Sequence, residues 1–364
     1  METTGYAVRR VRLAALLLLA LQASGCAGPG YYAQAIAGQW RLMRDREDLA
    51  GLIASDDTDP NLARRLETVQ QIRRYAAKQL DLPADDSYTS YVQTGREAVT
   101  WNVVATPEFS LQPQRWCFMV AGCVPYRGYF HEDAARAFAE TLSARGDDVA
   151  VSPAVAYSTL GWFEDPLLDT MLRYPDEELA GLLFHELAHR KLYIKGDTAF
   201  NESYASFVEE TGVRMWLKET GRTERLERWQ RRARAEAEFN RLTLGTRRKL
   251  ARLYASGLTP EAMREGKSEA FRALRSAYEQ RVRKEWEGHR YFASWMDSNM
   301  NNAGLALLNA YRGGLCAFAR LYHDAEGDMA RFHELARRRG ALPADERRAW
   351  LEQPCEVIAP NGDL

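Results

Sequence analysis

His185 and His189 stand four residues apart in "LLFHELAHRKLYI", and Glu186 directly follows the first of them; the chain has six histidines among 364 residues. Residues four apart on a helix share one face. Both imidazoles can therefore reach a single Zn2+ ion, each nitrogen about 2.1 Å from it. A carboxylate one position after the first histidine is angled toward a water beside that ion, the place of a general base. The neighbours Leu182, Leu183, Phe184, Leu187 and Ala188 are apolar. Polar groups on such a helix are buried and need partners, which a metal ion supplies.

A catalytic zinc takes three protein ligands and keeps a fourth position open. Glu202 comes thirteen residues after His189, in "NESYASF". With Asn201 as its cap, a helix over 202–218 that folds back antiparallel carries Glu202 to the metal. The plain alternative is a first-turn glutamate favoured by the helix dipole. His131, His323 and His333 lack ligand spacing and read as structural.

The elements that must position these groups follow from the apolar pattern. Pro175 and the acidic run Asp176, Glu177 and Glu178 suit the start of a helix, which runs to a stop at Gly196. Ahead of it, "SYTSYVQ", "AVTWNVVATP" and "RWCFMVAG" read as strands, and so does "DDVAVSPAVAYS", where Pro153 marks a sheet edge. "EDAARAFAETLSARG" reads as an amphipathic helix ended by Gly146. The fold class is α+β: N-terminal helices over 27–87, a sheet region over 88–160, the helix pair over 175–218, a charged helical arm over 219–290 and C-terminal helices over 291–364. The arm's charges read as a solvated face. "NMNNAGLALLNAYRGGLCAFARLY" reads as one apolar core helix.

The first residues are of another kind. Arg9, Arg10 and Arg12 precede the apolar run Leu13 to Ala23, and "ASGC" ends at Cys26. That run is too short to span a bilayer and reads as a signal peptide over 1–25, leaving 26–364 as the mature chain. Removal takes three arginines and Glu2 from 49 basic and 50 acidic side chains, leaving 46 and 49. This balance speaks against a nucleic-acid binder. An exported chain with Cys117, Cys123, Cys316 and Cys355 besides Cys26 suggests two disulfides, Cys117 with Cys123 and Cys316 with Cys355. Reduced core cysteines are the alternative.

The N-terminus resembles a bacterial lipoprotein signal, which implies lipid on Cys26 and a place in the cell envelope facing the periplasm, at the outer membrane because Ala27 follows. Ordinary cleavage, with Cys26 left as a thiol, is the other reading. "HELAH" with "NESYA" resembles the gluzincin class of zinc peptidases, which includes thermolysin and the alanyl-type aminopeptidases. Together with "WCFMVAGCVPYRGYF" and "AYSTLGWFEDPLL", the chain is similar to a family of bacterial aminopeptidases, often lipoproteins. The resemblance implies a zincin-like fold, one Zn2+ on His185, His189 and Glu202, and Glu186 as base. It also implies a peptide laid along the edge strand before the zinc helix, with Tyr157 and Trp162 lining the cleft and Glu164 or Asp165 meeting an α-amine; the alternative is that the aromatics are core and the acids lie in a turn. Tyr311 is the first choice for stabilising the oxyanion, beside His289 and Tyr291.

Three departures stand out. The connection between the two motifs is shorter than in thermolysin. Ser206 stands where thermolysin has an aspartate behind a zinc ligand, which leaves Glu209 or Glu210 to orient a ring. The Gly-x-Met-Glu-Asn signature for a substrate amine is absent. The expected function is zinc-dependent aminopeptidase action on peptides, with the membrane met only through the lipid anchor. An envelope endopeptidase and a non-catalytic zinc-fold scaffold are the alternatives.

Overall fold

The computed structural model describes residues 28–118, 122–156, 164–298, 300–312 and 314–353. Cys26, Tyr157, Trp162 and Cys355 lie outside the described residues, and of Tyr311 only the backbone belongs to them. The chain begins with α1 (Pro29–Arg44), β1 (Glu47–Asp48), α2 (Leu49–Ala54) and α3 (Pro60–Gln79). Next come β2 (Ser90–Val92), β3 (Thr100–Thr106), β4 (Trp116–Phe118), β5 (Gly122–Val124), β6 (Arg127–Tyr129), α4 (Glu132–Ser143), β7 (Asp148–Ala154) and β8 (Leu167–Leu168). After a 3-10 turn at Met171–Arg173, the elements are α5 (Asp176–Lys191), α6 (Thr198–Glu219), α7 (Thr223–Tyr254) and α8 (Pro260–Lys284). The chain then forms α9 (Ala293–Ser298), α10 (Asn302–Arg312), α11 (Leu315–Asp324), α12 (Met329–Gly340) and α13 (Ala344–Leu351). The protein is mostly helical with small sheets, an α+β arrangement.

The strands divide into three sheets. β6, β3 and β7 are antiparallel, β1, β2 and β8 form a mixed sheet, and β4 pairs with β5 as a hairpin. β3 runs against β7 over its full length, with Trp101 opposite Pro153. Among the described residues β7 pairs on that side alone, so Pro153 sits on an edge strand, where its missing N–H costs no ladder bond.

α5 is apolar around most of its circumference and lies at the centre of the main core. It ends at Lys191, short of Gly196, because Leu192 is already extended. Gly196, at φ 79°, serves the reversal that follows. α6 starts earlier than its sequence pattern suggests. Asp197 is the cap, its carboxylate accepting from Phe200 N at 3.1 Å, and Asn201 lies one turn inside the helix. The Asn201 amide instead clasps the turn: it accepts from Ile194 N and donates to Ile194 O, both at 2.8 Å. Gly212 allows the two helices to close, since a Cβ there would stand 2.9 Å from the Phe184 ring. Phe184, Phe200, Tyr204, Phe318 and Phe332 are fully buried around the pair. Each such side chain contributes on the order of 1.5–3 kcal/mol.

The charged arm is more than a solvated face. α7 and α8 form a hairpin with its own apolar core of Phe239, Leu250, Phe271, Leu274, Tyr278 and Trp286. Its arginines also tie it to the start of α5. Arg225 Nη1 lies 2.7 Å from Asp176 and 3.2 Å from Glu177, and Arg232 Nη1 lies 2.7 Å from Glu178. The long apolar helix expected near the C-terminus is two helices, α10 and α11. Between them Gly314 donates its N–H to Ser203 Oγ at 3.1 Å, and a Cβ there would stand 2.4 Å from Leu351. Cys117 and Cys123 sit opposite each other in the β4–β5 hairpin and are joined by a disulfide. Cys316 is disulfide-bonded too.

Candidate metal centre

α5 turns His185 and His189 toward the first full turn of α6. The two Nε2 atoms stand 3.1 Å apart. Glu202 Oε2 is 3.4 Å from His185 Nε2, and Oε1 is 3.7 Å from His189 Nε2. These three residues could hold a metal ion, since their ligand atoms all lie within 4.8 Å of one another. A tetrahedral ion about 2.1 Å from each ligand separates ligand atoms by about 3.4 Å, near the spacing of the two Nε2 atoms and of Glu202 Oε2 from His185 Nε2. The donor set is hard-to-borderline nitrogen and oxygen, and Glu202 Oε2 is buried without a hydrogen-bond donor among the described residues. A cation satisfies both features.

The electrostatics are those of a tightly coupled cluster. Burial pushes the Glu202 carboxyl up, but the facing rings of His185 and His189 outweigh it and hold the pKa down at about 2. Burial lowers the His185 imidazole, and contacts with Glu202 and Glu209 more than reverse that, raising it well above its ordinary value. Glu209, two turns beyond Glu202 on α6, places Oε2 3.1 Å from His185 Nδ1. It therefore fixes the ring with Nε2 toward the cluster.

Glu186 lies on α5 beside the first histidine and lines the same cleft as the cluster. Burial raises its pKa, while the charges of His185 and His189 pull it down without cancelling the effect. The cleft has a volume of about 1390 Å3. One wall is the edge strand β7, through Ser152, Pro153 and Ala154; another is α7, through Trp229, Arg232 and Glu236. A third is α1, through Tyr32, Ile36 and Trp40.

A family profile described as "Putative aminopeptidase" matches residues 30–351. The chain belongs to this family. No curated protein and no solved structure shows a significant match to it.

Within this member of the aminopeptidase family, the structure brings His185, Glu186, His189 and Glu202 into one cleft and leaves others apart. Glu164 is exposed, and its carbonyl accepts from Arg46 Nη1 at 3.3 Å. Asp165 is buried, 3.9 Å from Arg190 Nη1. Neither is among the residues that line the cleft, although the charge of Asp165 reaches Glu186. Asn301 holds structure: its side chain accepts from Gly304 N and donates to Val149 O. Tyr291 packs in the arm core, where its carbonyl accepts from the Tyr278 hydroxyl. His333 is buried between Tyr204 and Leu80.

Two phenols were missed by the sequence reading. Tyr126, between β5 and β6, lines the cleft, and burial raises its pKa, with the charge of Glu202 adding to the effect. Tyr193 follows His189 by four residues and responds to burial and Glu202 in the same direction. The spacing of Tyr193 was available as a signal. Tyr126 had none, because it is held beside β6, whose pairing with β3 (Val103 opposite Arg127) is remote in sequence.

Proposed function

We propose that the protein is a zinc-dependent peptidase that removes residues from free peptide N-termini, with Glu186 as its general base. The observation that carries this reading is the convergence of two imidazole nitrogens and a buried carboxylate, with Glu186 one residue from the first ligand. His185, His189 and Glu202 hold the ion. When bound, zinc polarises the scissile carbonyl and acidifies water. Glu186 takes the proton from the attacking water and passes it to the leaving amine. A carboxyl whose pKa is raised by burial suits a group that must both accept and return a proton. The Tyr126 phenol stays protonated at neutral pH and donates to the substrate oxygen as that atom gains charge. The free edge of β7 offers backbone groups to an extended peptide.

Aminopeptidase action is supported by the charge of the cleft. Glu178, Glu209, Glu210 and Glu236 line it, Glu178 paired with Arg232 and Glu209 with the His185 ring. A wall that carries carboxylates favours a protonated amine. Lipid on Cys26 places this activity in the cell envelope. The test uses the metal-loaded mature protein on matched peptides with free and acetylated N-termini. Stepwise release from free peptides alone is expected. Cleavage of acetylated peptides makes it an endopeptidase, and cleavage of neither makes it a scaffold.

A further inference from the structure

α1 has two apolar faces, and only one of them is covered. On the inner side Gly38 packs so closely on Phe130 that a Cβ would stand 2.2 Å from the ring. Gln34 Oε1 accepts from Phe130 N at 3.0 Å, and Leu42 is buried. On the other side, at the rim of the cleft, Ile36 is 68% and Trp40 69% exposed, one helical turn apart. Among the described residues the other exposed large apolar side chains are Leu244 and Leu258, both on the α7–α8 arm. An exposed Trp–Ile pair that adjoins the apolar rim of a cleft forms the kind of contiguous patch that marks a contact surface.

The proposed lipid at Cys26 would bring a membrane to this face. The helix begins at Pro29, and Cys26 stands three positions before it, directly after the apolar run Leu13–Ala23. A chain tethered at Cys26 gives α1 no slack: three residues span at most about 11 Å. We infer that α1 lies on the membrane surface, with Ile36 and Trp40 entering the headgroup region of the bilayer. Trp favours that depth, with its apolar ring buried and its N–H in reach of water. Arg41 in the last turn is exposed and suits anionic headgroups, while Arg44 is held by Asp45 at 2.7 Å. Both apolar side chains also line the cleft, so this contact turns its mouth toward the membrane. Peptides that partition into the headgroup region then reach the metal centre directly. That consequence rests on the peptidase reading, whereas the contact itself rests only on the proposed lipid at Cys26.

The test is fluorescence of the full, processed protein reconstituted in phosphatidylethanolamine–phosphatidylglycerol vesicles, with and without brominated acyl chains. Subtracting the Trp40→Phe spectrum isolates Trp40. Its emission is expected to shift to shorter wavelength and to be quenched by the brominated lipid. Trp40→Phe replaces an exposed side chain and leaves folding intact, which circular dichroism checks. If the protein floats with the vesicles but the Trp40 signal neither shifts nor is quenched, the proposal is overturned while the anchor stands. The same holds if Trp40→Ser only converts dimers to monomers in sedimentation. It holds also if the Trp40 signal is altered solely in the precursor that keeps residues 1–25.

Discussion

Glu209 Oε2 lies 3.1 Å from Nδ1 of His185, while the other nitrogen of that ring faces His189 and Glu202. One carboxylate thus selects the tautomer and holds the ring plane. It occupies the role that Ser206, one turn from Glu202, has no carboxylate to fill. Glu209→Ala is expected to lower zinc affinity about 10–100-fold while leaving the fold intact. Competition with a chromophoric chelator measures it, and unchanged affinity would remove Glu209 from the site.

Asn201 is expected to matter without touching the metal. Its amide satisfies both backbone groups of Ile194 in the turn that joins α5 to α6. Asn201→Ala leaves the Ile194 N–H unpaired, at a cost of about 1–3 kcal/mol, while Ile194 O keeps the bond it accepts from Asp197 N at 3.1 Å. Urea unfolding of the metal-free protein should register that loss. Metal affinity should fall as well, because Glu202 is the next residue on the helix.

His333 gives the fold a pH dependence of known sign. Nε2 donates to Leu80 O at 2.8 Å, so Nδ1 accepts from the Tyr204 hydroxyl at 2.7 Å. Burial holds the ring neutral and lowers its pKa to about 4. An unfolded histidine titrates near 6.5, so between the two values the unfolded chain binds the extra proton. Stability is therefore full above about pH 6.5 and falls by about 3 kcal/mol as pH drops to about 4. The curve for His333→Gln should be flatter over that window; parallel curves would contradict the assignment.

Glu186→Gln preserves shape and removes the base. Zinc content is expected to match that of the unsubstituted protein, while kcat falls by roughly 100- to 10,000-fold. A variant that keeps its turnover would take Glu186 out of the mechanism. A variant that loses its metal would place Glu186 among the ligands.

The chemistry was more legible than its supports. The four-residue spacing of His185 and His189 and the position of Glu202 depend on local helix geometry, which sequence states directly. The helix ends depend on more. Asn201 looks like a cap because asparagine often is one, yet Asp197 takes that place once the turn needs the Asn201 amide on Ile194. Gly314 interrupts an apolar stretch that reads as continuous, since the crowding comes from Ser203 and Leu351, both remote in sequence. The arm reads as solvated because its charges outnumber its aromatics. Phe239, Phe271 and Tyr278 meet only when α7 folds back on α8. Tyr126 enters the cleft by a similar long-range closure.

A crystal of the protein grown with zinc, with anomalous data on both sides of the zinc absorption edge, addresses the central proposition most directly. One peak is expected, bonded to His185 Nε2, His189 Nε2 and a Glu202 oxygen. A zinc peak elsewhere, or a peak that Glu202 does not touch, would contradict the account.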